Sequence, residues 1–134
     1  MADRYFTLEE ARRVLPEVRQ LMGRSVTALA VLRELAPLVR PVSGTLVTDA
    51  GSPAGSEYAS RLLELHTSIA RLQELGCEIK GLEEGLVDFR CLRDGREVYL
   101  CWKYGEEDIG FWHEIDAGFA GRQPIADRNP EGGE

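Results

Sequence analysis

Gly76 divides the chain into two stretches of different period, and that switch limits the fold more than any other feature. Before it, apolar or small residues return at alternating steps of three and four: Leu8, Ala11, Leu15, Val18, Met22, Ser25, Leu29, Leu32, Ala36 and Val39. This is the seam of a helix face, and Val14, Leu21, Ala28 and Leu35 widen it. After Gly76, glycine, β-branched and aromatic residues become frequent and the period shortens towards that of a strand. Helices followed by strands predict an α+β fold rather than an alternating α/β one.

The helical half carries its own punctuation. Thr7-Leu8-Glu9-Glu10 is a capping box, in which Thr7 and Glu10 satisfy each other's backbone amides, so a helix starts at Leu8. Pro16 lacks an amide hydrogen and clashes with the carbonyl four residues back. The expectation is a helical arm over 7–39 made of a short capped helix over 8–15, a kink or restart at Pro16, and a second piece ending near Leu35. Residues 40–56, RPVSGTLVTDAGSPAGS, have no lasting period and read as a flexible connection between antiparallel helices. A second helix is expected over 57–76. Leu62, Leu65, Ile69 and Leu72 form its seam, Ala59, Leu63 and Leu75 flank it, and Ser60, Arg61 and Ser68 fall on the polar side. Gly76 suits the left-handed C-cap.

Within the β-rich part, 77–125, three strands are expected over 86–92, 97–104 and 109–115. Asp94-Gly95 favours the type I′ turn of a two-residue hairpin and so sets a register. Cys91 then faces Val98, Phe89 faces Leu100, and Val87 faces Trp102, giving one apolar face to rest on the helices. The other face carries Leu92 with Glu97, Arg90 with Tyr99, and Asp88 with Cys101. A second turn lies near Gly105–Asp108, where a slip of one residue would exchange the faces of Phe111, Trp112 and His113. Residues 119–125 read as a closing arm and 126–134 as a frayed tail. The fold expected is a long antiparallel helical hairpin with a short N-terminal capped helix, packed on a C-terminal antiparallel three-stranded meander, all in one domain over 1–134.

Composition narrows the function classes. With 43% hydrophobic residues in 134, the chain has enough apolar material for a single core. Sixteen Lys and Arg against twenty-three Asp and Glu leave a net charge of −7, which argues against nucleic acid and against an anionic membrane surface as partners. No apolar run approaches the length of a membrane span, and the N-terminus lacks the apolar stretch of a signal peptide, so a cytoplasmic location is expected. Cys77, Cys91 and Cys101 are odd in number and form no CxxC pair, so they read as free, mostly buried thiols.

The region 88–122 concentrates the unusual residues. Gly85-Leu86-Val87-Asp88-Phe89, Cys101-Trp102, Gly105-Glu106, Trp112-His113 and Gly118-Phe119 with Gly121-Arg122 lie here, downstream of Phe6 to Ala11, Leu15-Pro16, Gly76-Cys77 and Lys80. In these strings the chain resembles a prokaryotic uncharacterised family, domain-of-unknown-function family 2203, over roughly residues 5–125. The resemblance implies a small domain of helical hairpin plus β-structure and supplies no activity.

Three chemical readings follow from the residues. A thiol beside an imidazole can become a nucleophilic thiolate, so Cys101 and His113, oriented by Asp88 or Asp116, are catalytic candidates. His113 with Glu114, Asp116, Asp88 and Cys101 could hold zinc or a harder divalent ion, although His113-Glu114-Ile115-Asp116-Ala117 is no HExxH motif. Trp102, Glu106, Trp112 and Arg122 are ligand-binding candidates, Arg122 otherwise being expected to pair with Glu114 or Asp116. Each has a plainer structural explanation: a buried thiol, a histidine bonded to a carbonyl, cross-strand aromatic packing. His66, on the second helix, reads as structural. No cofactor is expected, a divalent metal being the exception this residue set allows.

A helix from Pro16 to Leu35 would span about 30 Å, against a radius of gyration of about 14 Å for a globule of this size. One small sheet cannot cover two such rods. The leading expectation is therefore a non-enzymatic interaction or scaffold protein that forms a homodimer or small homo-oligomer through its helices. It would also bind a ligand or an unidentified protein partner on its aromatic sheet. The alternative is a small metal- or thiol-dependent enzyme or ligand binder centred on Asp88, Cys101, Glu106, His113 and Arg122.

Overall fold

A computed structural model describes residues 4–39, 41–42, 45–46 and 53–126. The first helix, α1, runs unbroken from Leu8 to Leu35. Its capping box is formed: the Thr7 hydroxyl accepts from the Glu10 amide at 3.0 Å, and the Thr7 amide donates to Glu10 Oε1 at 3.0 Å. The separate short helix expected before Pro16 is corrected, since α1 continues through the proline. Leu15 and Val18 on either side of it are buried in the core. Their burial, worth about 1.5–3 kcal/mol each, offsets the roughly 3 kcal/mol that proline costs inside a helix.

A 3₁₀ turn, Ala36–Leu38, closes α1. Two short strands, β1 (Pro41–Val42) and β2 (Thr45–Leu46), pair with each other. The second helix, α2, spans Pro53–Leu75. It therefore begins four residues before the expected start, with proline at the first helical position, where its missing amide costs nothing. The rest of the expected flexible connection, and the tail over 127–134, lie outside the described residues. At the other end Gly76 adopts φ +99°, and the Gly76 and Cys77 amides donate to the Gln73 and Leu72 carbonyls at 3.0 and 3.2 Å. The left-handed C-cap read from the sequence is thus formed.

The two helices pack against each other, and Arg71 of α2 donates to Glu17 of α1 at 2.8 Å. Ser68 and Leu72, one turn apart and both buried, mark the face of α2 that turns inward. Ser68 was expected on the polar side, and it is buried. Ser68, with Ser25 and Ala28 buried on α1, lets the two backbones approach. The rotation that buries Ser68 leaves Leu62 and Leu63 exposed at 48% and 67%. Most of the α1 seam is covered within the chain.

Five strands, not three, make the sheet: β3 (Glu78–Gly81), β4 (Leu86–Arg93), β5 (Arg96–Lys103), β6 (Phe111–Glu114) and β7 (Gln123–Pro124). They pair antiparallel in chain order. β3 and β7 escape a pattern search because they are four and two residues long and carry charged or proline residues at a sheet edge. Asp94 and Gly95 take φ +54° and +76°, as a type I′ turn needs, and the β4–β5 register is the one this turn predicts. Gly85 is also required: at φ +75°, a Cβ there would lie 2.5 Å from Tyr104 Cβ.

The inner face of the sheet, with Val87, Phe89, Cys91, Val98, Leu100 and Trp102, joins Phe6 and the α1 stripe in one core. The Phe6 and Phe89 rings meet edge to face with centroids 5.2 Å apart, a favoured geometry for aromatic pairs. Among the described residues, no helix is long and apolar enough to cross a membrane.

Candidate functional site

The β5–β6 register pairs Tyr99 with His113, Leu100 with Trp112, and Cys101 with Phe111. This choice sends His113 to the outer face of the sheet and Trp112 to the inner one. Asp88 of β4 is cross-strand from Cys101 of β5, and His113 of β6 lies on the diagonal. Three adjacent strands therefore bring an acid, a thiol and an imidazole to one spot. The outer face of such a sheet is ordinarily wet. Here Asp88, Tyr99, Cys101 and His113 are all buried, each exposed by 4% or less.

The chain after β6 supplies the cover. Ile115, Gly118 and Phe119 rim a pocket of about 260 Å³, together with Lys80 and Leu86, and Asp88, Tyr99, Cys101 and His113 line it more deeply. Arg122 pins this segment down. Its Nη2 donates to Glu106 Oε1 at 2.8 Å and to the Cys101 carbonyl at 3.4 Å, and its guanidinium lies 3.9 Å from the Phe111 ring centre and 4.7 Å from that of Phe119.

The pair expected between Arg122 and Glu114 or Asp116 is thus replaced by one with Glu106. Glu114 takes Arg96 at 2.8 Å instead, and Asp116 is exposed. Glu106 also accepts from the Lys103 amide at 2.9 Å, while its carbonyl accepts from Trp102 Nε1 at 3.0 Å. Glu106 and Arg122 thus act as fasteners behind the pocket.

His113 donates from Nδ1 to the Glu114 carbonyl at 2.7 Å, and its Nε2 lies 3.0 Å from Asp88 Oδ2. The Cys101 sulfur lies within 4.8 Å of the Asp88 carboxylate and of the His113 ring nitrogen. Burial raises the Asp88 carboxyl above its ordinary range, against the opposing pull of His113 and Cys101. Burial, with the Asp88 charge beside it, pushes the Cys101 thiol up to about 12. These surroundings keep the thiol protonated at neutral pH, which is the reverse of what a nucleophilic cysteine needs. None of the three cysteines is in a disulfide, and all are buried.

Of the expected site residues, the fold unites Asp88, Cys101 and His113, whose donor atoms all lie within 4.8 Å of one another. This is the set among the described residues that could hold a metal. Trp102 belongs to the core, Trp112 packs half-buried against it beneath Arg93, and His66 is exposed on α2. Sequence reasoning did not single out Tyr99 or Lys80 as site residues. Alternation already placed Tyr99 on the Asp88 face, whereas Lys80 could be placed there only once β3 was known. An Arg90 network stands beside the pocket: Arg90 donates to Glu78 at 2.8 Å and to Glu97 at 3.1 Å, and the Tyr99 hydroxyl donates to Glu78 at 2.8 Å.

Fold and site together define a small α+β domain, a helical hairpin on one face of a five-stranded antiparallel sheet and a recessed Asp–His–Cys cluster on the other. The chain belongs to the family described as an uncharacterised conserved protein, DUF2203, with residues 4–125 matched. No curated protein and no solved structure matches it.

Proposed function

We propose that this protein is a non-enzymatic binding protein that takes a small polar-headed, apolar-bodied molecule into the pocket on the outer face of its sheet. The observation that carries this reading is the pairing of a buried polar floor, Asp88 and His113, with a rim of Leu86, Ile115, Phe119 and Lys80. Polar groups at the base orient a ligand, and apolar walls supply the contact area. Lys80 at the mouth is paired with Glu78 at 3.1 Å, and the remaining donors of its ammonium suit an anionic group. Amide chemical shifts titrated with an aryl carboxylate such as phenylacetate test this. Saturable shifts at Lys80, Gly118 and Phe119 are expected, weakened in Phe119→Ala. Shifts scattered elsewhere, or none at millimolar probe, would refute it.

A second reading, self-association through the helices, is favoured by one observation. The outward face of α2 presents Ala59, Leu62, Leu63, His66, Thr67 and Ala70, all exposed and none of them Asp, Glu, Lys or Arg. Such a stripe suits a second copy of the same helix. Sedimentation equilibrium at micromolar concentration should give a dimer that Leu63→Glu converts to monomer. A wild-type monomer at those concentrations would end this reading.

A further inference from the structure

We infer that Asp88, Cys101 and His113 form a binding site for one zinc-class divalent ion, with a fourth coordination position open to the pocket. The argument begins with the imidazole. Nδ1 faces a backbone carbonyl 2.7 Å away and so carries a hydrogen. In the neutral ring, Nε2 then presents a lone pair, and 3.0 Å in front of it stands a carboxylate oxygen, another acceptor. Two acceptors at that distance need a cation between them. A proton is the minimal one, and a metal ion is the other.

The third group decides which the arrangement suits. A histidine and an aspartate sharing a proton need no sulfur. Here a cysteine stands cross-strand from Asp88, with its sulfur within 4.8 Å of both the other donor atoms. A tetrahedral zinc ion, with bonds of about 2.0–2.3 Å, holds its ligand atoms about 3.3–3.6 Å apart. Side-chain adjustments of about an ångström would convert one geometry to the other. Thiolate with imidazole and carboxylate selects zinc or cobalt over calcium and magnesium, which prefer oxygen alone. The Nδ1–H bond to the Glu114 carbonyl is the outer partner that metal-bound histidines commonly have, fixing the tautomer and aiming Nε2.

The charges balance. On entry the ion displaces the proton shared by Asp88 and His113 and the thiol proton of Cys101, and both leave to solvent. A dication with one carboxylate, one thiolate and a neutral imidazole is a neutral unit, the form a buried site tolerates best. Lys80 at the mouth does not compete, because its ammonium is paired with Glu78 at 3.1 Å. With three protein ligands, the fourth position faces the pocket lined by Tyr99 and Phe119. This site goes beyond the ligand reading above, and testing it with metal alone keeps the two separable.

The experiment is titration of the chelator-treated full chain with cobalt(II), followed by displacement with zinc. One cobalt per chain is expected, with tetrahedral visible bands and a near-ultraviolet thiolate-to-cobalt charge-transfer band. Cys101→Ser should abolish that band, and both Cys101→Ser and His113→Gln should weaken binding by more than about a hundredfold, the upper end of what losing even an outer partner costs. The Cys77→Ser/Cys91→Ser double variant should keep the band. Lack of binding at micromolar cobalt, or a band that survives Cys101→Ser, would overturn the assignment. If Cys101→Ser does not fold, X-ray absorption of the zinc-loaded wild type decides: one sulfur and one imidazole in the first shell support the site, and a shell without sulfur overturns it.

Discussion

Replacing Asp88 tests whether the cluster on the outer face is built as described, because two substitutions at that position should differ sharply. Asp88 is 2% exposed, with Oδ2 3.0 Å from His113 Nε2 and the Cys101 sulfur within 4.8 Å. Asp88→Ala leaves His113 Nε2 without its partner and opens a small void. A buried group left without a partner costs about 1–3 kcal/mol, and the void adds to that. Asp88→Asn instead keeps the bond to His113. Its Nδ2 can donate to Nε2, because Nδ1 already holds the ring hydrogen against the Glu114 carbonyl. Its expected cost is about 1 kcal/mol, the loss of one charge-assisted bond. Urea unfolding of the metal-free protein, followed by tryptophan fluorescence, measures both. Asparagine as damaging as alanine would refute the hydrogen positions assigned to His113. Alanine within about 1 kcal/mol of wild type would refute the cluster itself.

Further outcomes are expected elsewhere in the molecule. Leu72 is fully buried on α2 whereas Leu63 is two-thirds exposed, so Leu72→Ala should cost about 2–5 kcal/mol and Leu63→Ala under about 0.5 in monomer unfolding; equal costs would mean that the helix is rotated from the phase given. Burial works against the Glu78 carboxylate, but hydrogen bonds from Tyr99, Arg90 and Lys80 outweigh it and hold its pKa below the ordinary value. Its stabilising contribution is complete above about pH 4.5 and lost as pH falls through the lowered pKa. Urea midpoints should therefore fall less steeply in acid for Glu78→Gln than for wild type. Burial also pushes Cys77 and Cys101 up to about 12, so iodoacetamide at pH 7.5 should leave both unmodified in the metal-free native chain over a time that alkylates a free thiol completely. Rapid labelling of Cys101 would revive a nucleophilic role.

Local chemistry in the sequence carried some of this structure and none of the rest. The Thr7–Glu10 box, the Gly76 cap and the Asp94-Gly95 turn act within a few residues, and each appears where the sequence places it. Proline 16 misleads because its penalty is local, whereas the burial of Leu15 and Val18 is tertiary. The α2 phase misleads for a related reason: Leu62 and Leu65 look like a seam, but close packing on α1 selects the small Ser68. The site divides the same way. Asp88 opposite Cys101 follows from one turn, while the side taken by His113 depends on the β5–β6 pairing that the longer connection over 104–110 does not dictate. Arg122 finds Glu106 only because the closing segment folds back over Cys101, a contact that no spacing in the chain encodes.

The β5–β6 pairing has one more consequence. β6 is the shortest of the strands lining the cluster, held by four paired positions on one side and two on the other. Its amides should therefore open to exchange with solvent deuterium more readily than those of β4, which is paired along its length to β5. Any cation or small molecule seated against His113 would tie this outlying strand to the centre of the sheet. The slowing of exchange it produced would be concentrated in residues 111–114, a local gauge of occupancy that needs neither a known ligand nor an assay of turnover.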